Sequence, residues 1–234
     1  MAEDRTVIVT GASEGLGASL VGTFADAGWT VIAAARSASK LQAVAQNLSG
    51  GAGRVVPVPT DVANCEQDID MVSRAQAETG RIDVLINNAG IDSPGAIEEL
   101  DYADWDRIIA VNLSGAFYCT KAVYPVMRAQ GSGFVVNIAS VAGLRGAPNA
   151  TAYCASKFGM AGFTQALQAE AKTHNIRASV VYPGGMDTGW TGQKQPEFFK
   201  PDDVAVFVRN LVTQPPGLIV NEAVISPIVE PFYP

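Results

Sequence analysis

The chain predicts a doubly wound α/β protein: a parallel sheet of about seven strands with helices on both faces. Three observations lead there. Short apolar, β-branched runs alternate with helical patterns from end to end. Those runs are apolar throughout rather than every second residue, as strands covered on both faces must be. The first run, Thr6 to Thr10, opens directly into a glycine-rich turn, Thr10-Gly-Ala-Ser-Glu-Gly-Leu-Gly17.

Taken in order, the strand candidates are Thr6 to Thr10, Thr30 to Ala34, Arg54 to Pro59, Asp83 to Ile86, Phe134 to Ile138, Arg177 to Tyr182 and Leu218 to Val220. Helical patterns fill the intervals near Leu16 to Ala27, Ala38 to Leu48, Cys65 to Thr79, Tyr102 to Gln130, Ala150 to His174 and Pro201 to Val212. Strict alternation with right-handed crossovers stacks these as helix, sheet, helix. The chain carries no internal repeat, low-complexity segment or linker, so residues 1–234 read as a single domain. The segment 184–200 is the longest irregular stretch late in the chain and is rich in Gly, Pro, Trp and Phe. At the carboxyl end of a late strand it is expected to act as a substrate loop.

Composition narrows the function. The 234 residues are 48% hydrophobic, with a net charge of -7 and a pI near 4.7. That balance, with no basic run, argues against a nucleic-acid or membrane-surface partner. No apolar window is long enough to span a bilayer. No basic segment followed by a long apolar stretch opens the chain, so a cytoplasmic protein is expected. Cys65, Cys119 and Cys154 are scattered and fit reduced, buried thiols rather than a metal site. With His174 the only histidine, neither a zinc centre nor a Ser-His-Asp hydrolase is expected. His174 reads as a bland residue near a helix end.

In a doubly wound sheet, ligands bind beyond the carboxyl ends of the strands, where strand order reverses. The glycine turn stands at such an end. Gly11 permits a sharp bend, while Gly15 and Gly17 permit close approach of backbone to a pyrophosphate and of helix to sheet. The helix that follows, beginning near Leu16, offers free N–H groups and a positive dipole end. The arrangement is Rossmann-like.

A second constellation lies further on. Tyr153 and Lys157 are four residues apart at a helix start, so they share a face. A free phenol has a pKa of about 10. A neighbouring ammonium favours the phenolate and is expected to lower that value, as is the positive end of the helix. A phenol tuned in this way can give a proton to a carbonyl oxygen or take one from an alcohol. Ser140, after the strand Phe134 to Ile138, can hydrogen-bond the substrate oxygen. Asn112 sits inside a predicted helix, where asparagine is a poor choice.

The turn spacing is Thr-Gly-x-x-x-Gly-x-Gly rather than Gly-x-Gly-x-x-Gly. With it, the chain resembles the compact, single-domain branch of the short-chain dehydrogenases/reductases. Asn87-Asn-Ala-Gly90 matches a family segment after the fourth strand. Asn112, Ser140, Tyr153 and Lys157 fall in the family's catalytic order, and Pro183-Gly-Gly-Met-Asp-Thr188 matches its segment after the sixth strand. The resemblance implies Tyr153 as general acid/base in hydride transfer between a nicotinamide dinucleotide and a carbonyl or secondary alcohol. It implies that Lys157 binds the nicotinamide ribose and that Asn112 holds a water continuing a proton relay. It places Ser13, Asn88, Ala89 and Gly90 along the cofactor, Asp61 and Val62 at the adenine, and Pro183, Gly184, Met186 and Thr188 around the nicotinamide.

The choice of dinucleotide turns on the end of the second strand. An acidic residue there would select NAD, and a basic one accommodates a 2′-phosphate. The sequence gives Ala35 and then Arg36, whose guanidinium fits phosphate. Ser13 and Ser37 could add hydrogen bonds. NADP is therefore expected, with NAD as the alternative. Glu14 departs from this pattern, because several NADP-preferring relatives carry a basic residue at its position.

Ser140, Ala142, Leu144, Tyr153, Gly184, Trp190, Phe198 and Phe199 are expected to border the substrate. The aromatics suggest an apolar or ring-bearing carbonyl, or a lid packed on the core. The end of the chain, from Asn221, lacks the family's common Asp-Gly-Gly segment. By resemblance, the helices carrying Asn112 and Tyr153 pair across a two-fold axis to give a homodimer or homotetramer. Two rival readings are a non-catalytic, dinucleotide-binding regulatory protein and an epimerase or dehydratase on a related scaffold.

Overall fold

The computed structural model describes residues 5–48, 51–188 and 195–230. One seven-stranded, all-parallel sheet organises them. Its strands are β1 (Thr6–Thr10), β2 (Thr30–Ala35), β3 (Arg54–Pro59), β4 (Val84–Asn87), β5 (Gly133–Ile138), β6 (Ile176–Pro183) and β7 (Glu222–Ile225). They lie in the order β3-β2-β1-β4-β5-β6-β7. The helices are α1 (Gly15–Asp26), α2 (Ala38–Asn47), α3 (Cys65–Thr79), α4 (Tyr102–Ile109), α5 (Gly115–Gln130), α6 (Thr151–Ala171) and α7 (Pro201–Val212).

The uniform apolarity of the strands has the physical cause inferred from it. Side chains of a strand alternate between faces, and here both faces are covered. Val7, Val9, Val31 and Ala33 pack with α1, α2 and α7. Ile8, Ile32 and Ala34 pack with α3, α5 and α6. Each valine or isoleucine among them, fully buried, contributes roughly 1.5–3 kcal/mol. Phe24 and Trp29 lock the α1–β2 corner edge to face at 5.0 Å.

Strand order reverses between β1 and β4, which are neighbours, and the crevice at their carboxyl ends is the natural ligand site. Thr10 ties the two sides of that crevice together. Its hydroxyl accepts from the N–H groups of Asn88 at 3.0 Å and Ala89 at 3.1 Å. Asn88 Nδ2 returns a bond to the Thr10 carbonyl at 2.9 Å.

The edge strand β3 carries two prolines. The N–H groups of Arg54 and Thr60 donate inward, to Trp29 and Ala35. Successive residues of a strand point their N–H groups to opposite sides, so Pro57 and Pro59 stand where donors would otherwise face outward.

Three expectations need correction. The last strand is Glu222–Ile225, not Leu218 to Val220. The apolar run is the approach to it: Arg177 holds that approach outward through the carbonyls of Gln214, Pro215 and Leu218, and the ladder begins where Val180 N–H meets Asn221. The helical stretch from Tyr102 to Gln130 is interrupted by a π-helical turn, Ala110–Ser114, that separates α4 from α5. Cys65, expected to be buried, is exposed at the start of α3, whereas Cys119 and Cys154 are buried. His174 closes a short 3-10 turn after α6, its Nδ1 3.0 Å from the Tyr124 hydroxyl.

Candidate active site

The glycine turn brings β1 into α1 with positive φ at Gly11 (65°) and Gly15 (52°). Gly17 has no room for a side chain: a Cβ there would lie 2.8 Å from Asn88 Nδ2 and closer still to the Gly11 carbonyl. Leu16 is buried beside it. Glu14, at the N-cap of α1, makes no side-chain cap, and the first turn holds no acidic residue. The positive end of the helix is thus left for an anion, which is the fit a pyrophosphate requires. Across the crevice, Thr188 closes on this turn, 3.6 Å from where a Gly15 Cβ would stand.

At the far end of β2, Arg36 is exposed and Ser37 is the N-cap of α2, accepting from Lys40 N–H at 3.4 Å. Ser13 is half-buried in the turn. Glu14 is held by Lys40, Oε2 to Nζ, at 2.6 Å. Asp61 accepts from Ala63 N–H, and Val62 packs against Gly115 at the start of α5.

The four catalytic candidates come together beyond β4 and β5. Asn112 is fully buried in the π turn, an irregularity that often marks functional positions. Its side chain is spent on bracing: Oδ1 accepts from Ile91 N–H at 2.8 Å, and Nδ2 donates to the Ile91 carbonyl at 2.9 Å and to Ser156 Oγ at 3.0 Å. Lys157, in α6, is 3% exposed, and its Nζ donates to the Ile138 carbonyl at 2.9 Å. Asn112 and Lys157 both face Gly90, at 3.6 and 3.7 Å from the position of its absent Cβ. Tyr153, third residue of α6, is half-buried, with Lys157 Nζ 5.5 Å from its ring centre. Ser140 Oγ accepts from Ala142 N–H at 3.1 Å and makes a side-chain hydrogen bond with Tyr153.

The electrostatics depart from the sequence expectation. The phenol is pushed up to about 12, not down. Burial is the main cause, the Asp92 and Cys154 charges add to it, and the Ser140 hydrogen bond opposes it. Burial also lowers Lys157 to about 8. At neutral pH the site therefore holds a protonated phenol beside an ammonium. Sequence reasoning missed Asp92, whose own carboxyl is raised by burial. It also missed Lys40, which only the fold brings to Glu14.

Beneath the site, Asn87 Nδ2 donates to Asn137 Oδ1 at 2.8 Å and to Thr120 Oγ1 at 3.0 Å. Asn137 Nδ2 donates in turn to Thr164 Oγ1 at 2.8 Å. This buried polar network joins β4, β5, α5 and α6.

On the substrate side, Ala142 and Leu144 are half-buried around the 3-10 turn Val141–Gly143. The aromatic pair divides its roles. Phe199 packs on the α1–α7 core and pairs with Met186, while the Phe198 ring lies against Gly185. Pro183 is buried at the end of β6, and Gly184 follows it. Trp190 and the stretch 189–194 of the expected substrate loop lie outside the described residues. A hollow of about 270 Å³ lined by Arg5, Trp29, Phe134 and Arg177 sits at the opposite, amino-terminal edge and contains none of the candidate residues. Among the described residues, no helix is long and apolar enough to cross a membrane.

Residues 5–197 match the family model described as short chain dehydrogenase. An uncharacterised oxidoreductase of Staphylococcus aureus is 34% identical over 96% of this chain and 98% of its own. The 3-oxoacyl-[acyl-carrier-protein] reductase of Thermotoga maritima is 34% identical over 95% of this chain and 96% of its own. Among solved structures, an alcohol dehydrogenase of the archaeon Thermococcus sibiricus, complexed with 5-hydroxy-NADP, superposes with a TM-score of 0.92 at 27% identity, covering 99% of this chain and all of the other. A metagenomic short-chain oxidoreductase in complex with NADP gives 0.87 at 31% identity, covering 98% of this chain and all of the other.

Proposed function

The chain belongs to the short-chain dehydrogenase family of oxidoreductases, and from that premise we propose that it moves a hydride between NADP(H) and a carbonyl or secondary alcohol, with Tyr153 as general acid and base. The observation that carries this reading is the Ser140 hydrogen bond to Tyr153 with the Lys157 ammonium beside the same ring.

The dinucleotide supplies the hydride, and the protein supplies position and protons. Ser140 holds the carbonyl oxygen and faces the charge that develops on it. Tyr153, protonated at neutral pH, gives that oxygen its proton and is left as phenolate; in the reverse direction the phenolate takes one. Lys157 keeps a cation beside the phenol and binds the nicotinamide ribose. Asn112 fixes the Ile91 backbone and Ser156, and through them the wall that carries Gly90 and the helix that carries Tyr153. The α1 turn holds the pyrophosphate at Gly11, Ser13, Gly15, Leu16 and Gly17. Asp61 and Val62 border the adenine; Asn88, Ala89 and Gly90 flank the cofactor. Pro183, Gly184, Met186 and Thr188 form the nicotinamide wall.

NADP is preferred over NAD on charge. Arg36 is exposed at the end of β2 and has no ion pair among the described residues, and Lys40, in the first turn of α2 beside it, adds a second cation. The Lys40–Glu14 pair is solvent-exposed, 58% and 73% by side chain, and such pairs are worth little. Lys40 gives it up readily for a doubly charged phosphate. The NADP complexes of two structural neighbours support the same choice. The substrate is a small carbonyl or alcohol, and the enzyme acts as a cytoplasmic homodimer or homotetramer. Its exposed Phe117 and Phe158, on α5 and α6, suit a helix-to-helix contact between subunits.

The test is consumption of NADPH and of NADH against a carbonyl panel, with Tyr153→Phe alongside. No turnover with any carbonyl or alcohol, while a dinucleotide still binds, would favour a regulatory protein. Turnover without net oxidation or reduction of the cofactor would favour an epimerase.

A further inference from the structure

The segment after β7 departs from the family's common pattern, and the structure gives it a place. β6 and β7 run in register with Pro183 beside Ile225, and Gly184 N–H extends the ladder to the Ile225 carbonyl at 2.8 Å. The chain then makes a tight turn over Pro227, which is buried, closed by Glu230 N–H donating to the Pro227 carbonyl at 3.0 Å. That turn aims the Glu230 carboxylate back at the β6 exit. Both of its oxygens accept from the Gly185 N–H, at 3.1 and 3.0 Å. A side chain on Gly184 would collide with the same carboxylate, and one on Gly185 would collide with the Phe198 ring.

The Gly184–Gly185 peptide is thus clamped between a carboxylate on one side and an aromatic ring on the other. Beyond the clamp the strip 186–188 has further ties. Met186 is bridged to Phe199, Asp187 N–H donates to the Phe199 carbonyl at 3.1 Å, and Thr188 reaches the Gly15 turn. A charge-assisted hydrogen bond to a backbone N–H is stronger than a neutral one and directional. It sets the plane of the Gly184–Gly185 peptide and therefore where Met186 to Thr188 begin.

We propose that Glu230 is a positioning residue for the nicotinamide wall: the carboxyl-terminal turn, through one carboxylate on Gly185 N–H, fixes the 184–188 strip across the cofactor crevice. This rests on the dinucleotide reading above. It assigns a role to a residue that belongs to none of the motifs the chain shares with its relatives.

Glu230→Ala is expected to weaken NADPH binding, read by quenching or enhancement of its fluorescence, by about three- to tenfold, the loss of one hydrogen bond. Adenosine 2′-monophosphate, which fills only the other half of the crevice, should bind as to the wild type. Glu230→Gln, whose carboxamide oxygen can still accept, should recover most of the NADPH affinity. Should the alanine variant fail to fold, Glu230→Met, of similar length with no acceptor, takes its place against Glu230→Gln. Equal NADPH affinity in wild type and in the variants lacking the acceptor overturns this assignment alone. So does parallel weakening of the nucleotide fragment, which would reveal general loosening. A wild-type protein that binds neither NADPH nor NADH overturns the proposed function, and this assignment with it.

Discussion

Lys157 Nζ lies 5.5 Å from the centre of the Tyr153 ring and donates a hydrogen bond, 2.9 Å long, to the Ile138 carbonyl. The ammonium is therefore anchored to the end of β5 and is not drawn onto the phenol oxygen. Burial governs the phenol, opposed by the Ser140 hydrogen bond.

One consequence is a pH limit. Lys157 is lowered to about 8 by burial, so it is charged below that pH and neutral above it. The phenol, near 12, stays protonated throughout. The kcat/KM for NADPH in carbonyl reduction should therefore be flat from pH 6 to 7 and fall above an apparent pKa of about 8. A profile that keeps rising to pH 10 would contradict the role given to the ammonium.

Removing the proton donor should separate chemistry from binding. Tyr153→Phe is expected to cut turnover about a hundred- to ten-thousandfold, the span of general acid catalysis, while NADPH binding changes little. Turnover and a fluorescence titration on the same preparation check both halves.

Coenzyme choice should follow the charges at the end of β2. Arg36→Ala and Lys40→Ala should each raise the KM for NADPH by about tenfold, one charge-assisted hydrogen bond, with the KM for NADH nearly unmoved. Glu14→Gln, which frees Lys40 from its exposed partner, should lower the KM for NADPH. If Lys40→Ala affects both coenzymes alike, the lysine serves packing and not phosphate.

Asn112 should report on the brace. Asn112→Ala removes three hydrogen bonds at a buried position and leaves the Ile91 backbone unpaired. A loss of about 1–3 kcal/mol in unfolding free energy is expected, with a fall in turnover, both measurable by denaturant titration and assay.

A buried carboxyl on α3 predicts an unusual stability profile. Asp68 is fully buried, its Oδ1 accepts from the Cys119 thiol at 3.3 Å, and its Oδ2 has no hydrogen-bond partner among the described residues. Burial raises it to about 7. In the unfolded chain it titrates near 3.8, so between those values the folded state holds more protons. Stability then falls as pH rises through that window. Thermal unfolding across pH 4–8 should show that decline, and Asp68→Asn should flatten it.

Much of this was legible in the chain because local chemistry and global fold agree. Gly11 to Gly17 bend where only glycine can, and the strands are apolar on both faces because both faces are covered. The order and spacing of Asn112, Ser140, Tyr153 and Lys157 could be read, but not the π turn that carries Asn112, since its hydrogen-bond pattern leaves no compositional mark. Leu218 to Val220 reads as a strand by composition, yet the Arg177 side chain, 41 residues away from Leu218, takes the Leu218 carbonyl, and the ladder starts only at Asn221. The raised phenol depends on burial by residues distant in sequence. Lys40 is 26 residues from Glu14, and only the packing of α2 beside the glycine turn makes them partners.

The two margins of the sheet are not alike. Pro57 and Pro59 deprive the β3 margin of hydrogens that a docking strand would need, while β7, at the other margin, keeps its own. A neighbour that adds main chain to main chain therefore meets fewer donors on the β3 flank than on the β7 flank.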